Sequence, residues 1–172
     1  MPARRETLMA EIVTRLDRID KTAGYNFTLG QDTQRYKHYW GENEQVPNVI
    51  ANTPAIVVTA PTEQSTVLGS GLWQHSLAIT LEYHASGGPD DTVSGEGQLD
   101  DDEVIQIIED VAKALFTDTN GDPDEGLGIG ATVDRWTSRI FDPEDGQPEH
   151  GVTFEIELTY ETDVGDYSAR SG

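Results

Sequence analysis

Four oxygen-bearing side chains occupy alternate positions in "DTNGDPDEG", residues 118–126: Asp118, Asn120, Asp122 and Asp124. This is the spacing of a calcium loop, in which acids and amides at every second residue converge on a hard cation. The pattern then breaks. Pro123 stands where the loop needs glycine for its sharp turn, and the twelfth position is Ile129 instead of a bidentate glutamate. The ligand set is incomplete, so the residues read as a solvated acidic turn, with a cation at 118–124 as the open alternative. A second cluster, "PEDGQPEHG" at 143–151, brings Glu144, Asp145 and Glu149 close to His150, the material of general acid–base hydrolysis. In a chain with 32 acidic residues such neighbours arise by chance. There is no nucleophile elbow, Walker loop, HExxH or GxGxxG, and "GLGIG" at 126–130 lacks the strand before and helix after that a phosphate loop requires. Cysteine is absent, which removes thiolate nucleophiles, disulfides and cysteine metal sites. The expectation is a protein with no catalytic, cofactor-binding or metal-binding residues, and not an enzyme.

The charge points the same way. The 32 acidic residues face 11 Lys plus Arg, a formal net of −21. A phosphate backbone is wrapped by clustered Lys and Arg, so this chain is not expected to bind nucleic acid specifically. A compact body of one sign repels itself, and molar salt relieves that repulsion by shrinking the screening length to roughly 3 Å. A salt-rich setting, a halophile or its virus, follows as an expectation. The charge is uneven: residues 1–40 hold seven basic and five acidic residues, and 41–172 hold four and 27. A near-neutral end on an acidic body could let copies dock head to tail, although helix-surface composition also accounts for it. Aromatic and basic residues interleave at Arg35, Tyr36, Lys37, His38, Tyr39 and Trp40. The strip could stack on bases, but packing against a sheet or a neighbouring subunit suits it better. No run of about 18 apolar residues is present, and the opening "MPARRETLMAEIV" has no leader-like apolar core, so neither a membrane span nor a signal peptide is expected.

Periodicity supplies the scaffold. Leu8, Ile12, Leu16 and Ile19, with Met9 and Val13, predict an amphipathic helix over 5–20, closed by Gly24. Residues 25–40 read as a strand and an extended arm. "NTPAIVVTAP", 52–61, reads as a short central strand buried on both faces. "TEQSTVLGSG", 62–71, reads as a loop. Over 72–85, Trp73, His75, Leu77, Ile79, Leu81 and Tyr83 share one strand face, which makes His75 a satisfied, partly buried histidine; His84 is expected in solvent. A Gly- and Asp-rich loop, 86–98, precedes a helix over 99–116. Asp100, Asp101 and Asp102 suit that helix's positive end, and Val104, Ile107, Ile108, Val111, Leu115 and Phe116 form its buried stripe. A turn-rich link, 117–130, leads to a strand at 131–141, a loop, and a strand at 151–162. In this last strand Val152, Phe154, Ile156, Leu158 and Tyr160 face inward, and Glu155, Glu157 and Glu161 face outward. The order predicts one α+β domain over 1–172, an antiparallel or mixed sheet with two main helices packed on one face and a polar tail from about 163.

The chain from about residue 4 to 167 resembles the tail-terminator, or tail-completion, proteins of long-tailed phages and archaeal tailed viruses. The resemblance is carried by "RETLMAEIVTRLDRI", the arm "GYNFTLGQDTQRYKHYW", "PAIVVTAPTEQ", "WQHSLAITLEYHA", "DDDEVIQIIEDVAKALF" and the closing "GVTFEIELTYETDVGDY". The order of elements carries more of it than any one motif. The loop at 86–98 and the Asp-rich link at 118–125 are longer than compact members require. The resemblance implies an α+β subunit that forms a ring, usually a homohexamer, on the head-proximal end of the tail tube in the virion neck, after synthesis in the host cytoplasm. The ring stops tube-protein addition and offers a surface to the head-completion or head–tail connector protein, while genome DNA passes through its lumen without specific binding. The arm at 25–40 and the loop at 86–98 are its candidate contacts. The alternatives are another neck or head–tail joining component and, from a different class, an acidic metal-binding module or hydrolase.

Overall fold

Helix α1 (Arg4–Leu16) forms where the apolar spacing of Leu8, Met9, Ile12 and Leu16 buries one stripe. It ends about one turn earlier than the periodicity suggests. Arg18 and Ile19 donate to Arg15 and Leu16 three residues back, at 3.2 and 3.0 Å, tightening the chain out of the α-helix while Ile19 stays buried. Asp20 then accepts the Thr22 N–H at 2.6 Å and caps a 3₁₀ turn, Lys21–Ala23, which Gly24 closes at φ 84°. These features belong to a computed structural model that describes residues 4–29, 34–35, 55–69, 71–84, 101–124, 127, 130–141 and 151–163.

The remaining elements are β1 (Gln34–Arg35), β2 (Ala55–Gly69), β3 (Leu72–His84), α2 (Asp101–Phe116), β4 (Thr132–Phe141) and β5 (Gly151–Asp163). The five strands form one sheet in the order β1-β2-β3-β5-β4, antiparallel except for the two-residue β1. With two helices this is the expected α+β class, as a mixed sheet. β3 and β5 pair along their whole length, Leu72 opposite Asp163 and His84 opposite Gly151. β4 pairs with β5 from Gly151 to Thr159 and stops there. Alternation then dictates the layers. Ile56, Val58, Leu77, Ile79, Leu81, Val152, Phe154, Ile156 and Leu158 lie in one core with the apolar stripes of α1 and α2. Among the described residues no helix covers the other sheet face, where Ala78, Glu155, Thr137 and Arg139 are exposed.

Two readings of β2 need correction. Ile56, Val57 and Val58 are buried on both faces, as expected, yet the strand is the penultimate one and not a central one. Residues 62–69, expected as a loop, continue the strand and pair with Ala78 back to Leu72. The ladder shifts between Thr59 and Thr62, so β2 holds one residue more than β3 at Ala60–Pro61. A bulge is where a strand tolerates proline, which has no N–H to donate to the ladder. Pro61 therefore marks a bulge and not the strand end that the sequence suggests. Residues 25–29, expected as a strand, form an irregular segment; beyond them the arm is described at Gln34–Arg35.

Candidate assembly surface

Within the calcium-like set, the acids turn to different partners. Asp118 turns onto its own loop, where its Oδ1 accepts the Asn120 and Asp122 N–H groups at 2.7 and 2.9 Å. The Asp122 hydrogen bond, with those of Asn120 and Gly121, outweighs the opposing effect of burial and holds this carboxyl below its ordinary value. Asp124 points the other way, and its Oδ2 accepts from Arg15 Nη2 at 2.6 Å. Among the described residues no group of three or more His, Asp or Glu side chains is placed to hold a metal ion. The acids at 118–124 close a loop whose ends meet in a bridge between Thr117 and Pro123.

Arg15 explains what that loop is anchored to. It is buried, donating to Glu11 at 2.8 Å, to Asp124, and to the Leu115 carbonyl at 2.6 Å. Arg18 donates to the carbonyls of Ala114 and Thr117 at 2.5 and 2.9 Å. The last carbonyls of a helix lack intrahelical partners and carry partial negative charge, and guanidinium groups answer both needs. Burial opposes the Arg15 charge, but Asp124 and Glu11 outweigh it and raise its pKa. Arg5 likewise donates to the Ala60 carbonyl at 2.6 Å and lies 3.5 Å from Glu63. The basic N-terminal segment thus turns Arg5, Arg15 and Arg18 onto its own subunit.

A second polar cluster surrounds His75. The ring is fully buried, more deeply than the partial burial expected. Ser65 Oγ lies 2.8 Å from Nδ1 and Thr162 Oγ1 lies 2.8 Å from Nε2, so each nitrogen has a hydroxyl partner in either tautomer. The Tyr160 ring stacks on the imidazole at 4.7 Å and donates its hydroxyl to Glu63, which is 3.6 Å from Nδ1. Burial, then the Glu63 hydrogen bond and charge, push the Tyr160 phenol up. Serine, histidine and glutamate together suggest a hydrolytic relay, but the order is wrong. A relay needs nucleophile and acid on opposite ring nitrogens. Here Ser65 and Glu63 share Nδ1, and the buried hydroxyl of Thr162 takes the other nitrogen. The cluster ties β2, β3, β5 and α1 together. Sequence reasoning missed Glu63 and Ser65 because both fell in the segment read as a loop. The β-branched Thr62, Thr66 and Val67 were its one strand signal.

The surface itself is more telling. The β2–β3 hairpin runs past the end of β4, and near its tip Val67 is 62 % exposed and Leu68 48 %. At the opposite edge of the sheet, α2 and β4 frame a groove of about 400 Å³, lined by Ala112, Phe116, Val133, Asp134, Arg135 and Trp136. Trp136 stacks on Phe154 at 5.1 Å and meets Phe116 edge-on at 5.4 Å, fixing the groove wall. On the sheet face away from the helices Glu155 and Glu161 are exposed, while Glu157 accepts from Ser76 at 3.2 Å and lies 3.5 Å from Arg135. The side chains of 35–40 and of His84, the loop 86–98, Asp100, and Glu144, Asp145, Glu149 and His150 lie outside the described residues. Leu127 of "GLGIG" is buried core. Among the described residues no helix is long and apolar enough to cross a membrane.

No protein-family model matches this chain, and no curated protein matches it as a relative.

Proposed function

We propose that this protein is a tail terminator of a tailed virus: a subunit that forms a ring, of six copies, on the head-proximal end of the tail tube. The observation that carries the reading is the outer end of the β2–β3 hairpin, where a chain of net charge −21 leaves two adjacent aliphatic side chains exposed at the end of β2. Ile105 on α2 and Ile140 on β4 are exposed as well, and it is the adjacency of Val67 and Leu68 that makes the hairpin end a candidate contact site. Around them the polar clusters are tied up inside the subunit, and the wet sheet face carries glutamates. The mechanism is coverage. A ring seated on the tube end occupies the surface that the next tube protein would use, and it presents a new surface to the head-completion or connector protein. Identical contacts around an axis close when their rotation closes. Glutamates such as Glu155 and Glu161 repel phosphates and let genome DNA pass without sticking. The acidic surface suits a salt-rich host, whose ions screen the repulsion between copies.

Negative-stain imaging of the purified protein with the tail tube of its virus tests the proposal. Rings on one end of each tube are expected. Binding to a portal-side protein, with bare tube ends, would replace this reading with that of a head–tail joining component.

A further inference from the structure

We infer that the β2–β3 hairpin tip of one copy seats in the groove between α2 and β4 of a second copy. This deepens the ring reading, and rests on it for the closing of the contact on itself. The tip has the form of a knob. The ladder shifts between Val67 and Gly69, which leaves Leu68 as the extra, bulged residue. Gly69 and Gly71 both hold φ 78°, a left-handed conformation that other residues resist, and a Cβ at either would meet nothing within 4 Å.

The hairpin carries no formal charge of its own. From Gln64 to Leu81, 18 residues, there is no Asp, Glu, Lys or Arg; the acids beside it are Glu161 and Asp163 of β5, opposite Gln74 and Leu72 on the β3 side. Like charges repel as two copies of so acidic a body approach, and the β2 side of the hairpin, which holds Val67 and Leu68 and lies away from β5, is the part that enters a neighbour's surface with least of that penalty. The groove is the matching hole. Its apolar wall is Ala112, Phe116, Val133 and Trp136, with Asp134 and Arg135 along its β4 edge, and its volume is about 400 Å³; the charged ends of those two side chains turn to Thr159 and Glu157 on the other sheet face. That falls within the roughly 300–1,000 Å³ of sites that engulf apolar groups.

The tip cannot fill its own groove. Val133 lies opposite Leu158, Leu158 opposite Leu77, and Leu77 opposite Glu63. Leu68 is therefore five residues further along and three strands across, roughly 16 Å by 14 Å from strand rise and spacing. Knob and hole are different patches, so the contact is heterologous, and successive copies close into a ring or grow as a filament.

The chain has no cysteine, so introduced thiols report one pair at a time. Leu68→Cys and Ala112→Cys chains, purified separately, are mixed under mild oxidation in about 1 M NaCl, where repulsion is screened. Each chain by itself and a mixture of Glu161→Cys with Ala112→Cys serve as controls. The expected result is a disulfide-linked dimer several-fold above every control, and a ladder of covalent multimers from the chain carrying both Leu68→Cys and Ala112→Cys. Val67→Ser/Leu68→Ser melts as the parent does but elutes as a monomer where the parent associates. Association by light scattering with cross-linking no greater than the controls overturns the tip–groove contact and leaves the ring standing. A monomer at every concentration, without cross-links, overturns the contact too, and tube-end imaging then judges the ring by itself. Cross-links in open filaments keep the contact and contradict the ring.

Discussion

The junction of α1 and α2 and the tip of the β2–β3 hairpin treat water in opposite ways. At the junction, charged groups are drawn inside and answered: Arg15 reaches Asp124, Glu11 and a helix-end carbonyl, and Asp110 accepts the N–H groups of Asn26 and Phe27 at 2.7 and 3.1 Å. At the tip, aliphatic groups are left outside and unanswered. Folding explains the first arrangement, since a buried polar group without a partner is costly. It does not explain the second, because exposed Val67 and Leu68 add nothing to the core. The difference separates what holds the subunit together from the surface that the proposed ring contact uses.

Substitutions sharpen that contrast. Arg15→Met strands Asp124, Glu11 and the end of α2, and should cost about 3–5 kcal/mol in chemical denaturation, the range for breaking a buried ion pair. Val67→Ser/Leu68→Ser should stay within about 0.5 kcal/mol of the parent. Equal losses in the two variants would erase the distinction.

The next effect is alkaline. Burial, with Glu103 and Asp110 adding to it, pushes the Tyr83 phenol up to about 12. The folded state holds this proton more tightly than the unfolded chain, so the stabilisation is complete below the ordinary phenol value of about 10 and is lost as pH rises towards 12. The loss from Tyr83 is on the order of 2–3 kcal/mol. Tyr160, also raised, acts in the same sense. Stability measured from neutral to strongly alkaline pH should fall in that window, less steeply in Tyr83→Phe; identical slopes would show that Tyr83 is not the source.

Asp110→Ala should cost about 1–3 kcal/mol, the range for buried donors left without an acceptor. Faster hydrogen exchange at Asn26 and Phe27 locates the damage. Salt acts more diffusely. Raising NaCl from about 0.1 to 1 M shrinks the screening length from roughly 10 to 3 Å and should raise the Tm of the parent and of the tip variant alike. A Tm indifferent to salt would remove the salt-rich setting from the account.

How far the sequence was legible follows from the range of each signal. α2, β3, β4 and β5 begin and end within about two residues of their expected bounds, because apolar period is a local property and boundaries carry that margin. The outer half of β2 was hidden. "TEQSTVLG" has no apolar alternation, since it is wet on one face and packs against Arg5, His75 and Tyr160 on the other, and Pro61 imitates a strand end. His75 could be placed on an inward face, but its partners Ser65 and Thr162 come from two other strands. The use of Asp124 could not be read from its loop, because its partner Arg15 is 109 residues away in the chain. The calcium-like spacing is a local pattern, whereas the contact that engages Asp124 is long-range. The hairpin tip and its groove were illegible for the same reason: one needed the bulges of β2, and the other the approach of α2 to β4.

The most direct measurement follows tube growth. Tail-tube protein of the same virus is polymerised while light scattering records length, with this protein added in amounts small against tube subunits but sufficient for one ring per tube end. The account predicts that elongation stops at about six copies per growing end, the ring size that the resemblance implies, and that Val67→Ser/Leu68→Ser stops it poorly. Tubes that lengthen at the same rate with and without the protein, at any ratio, would contradict it.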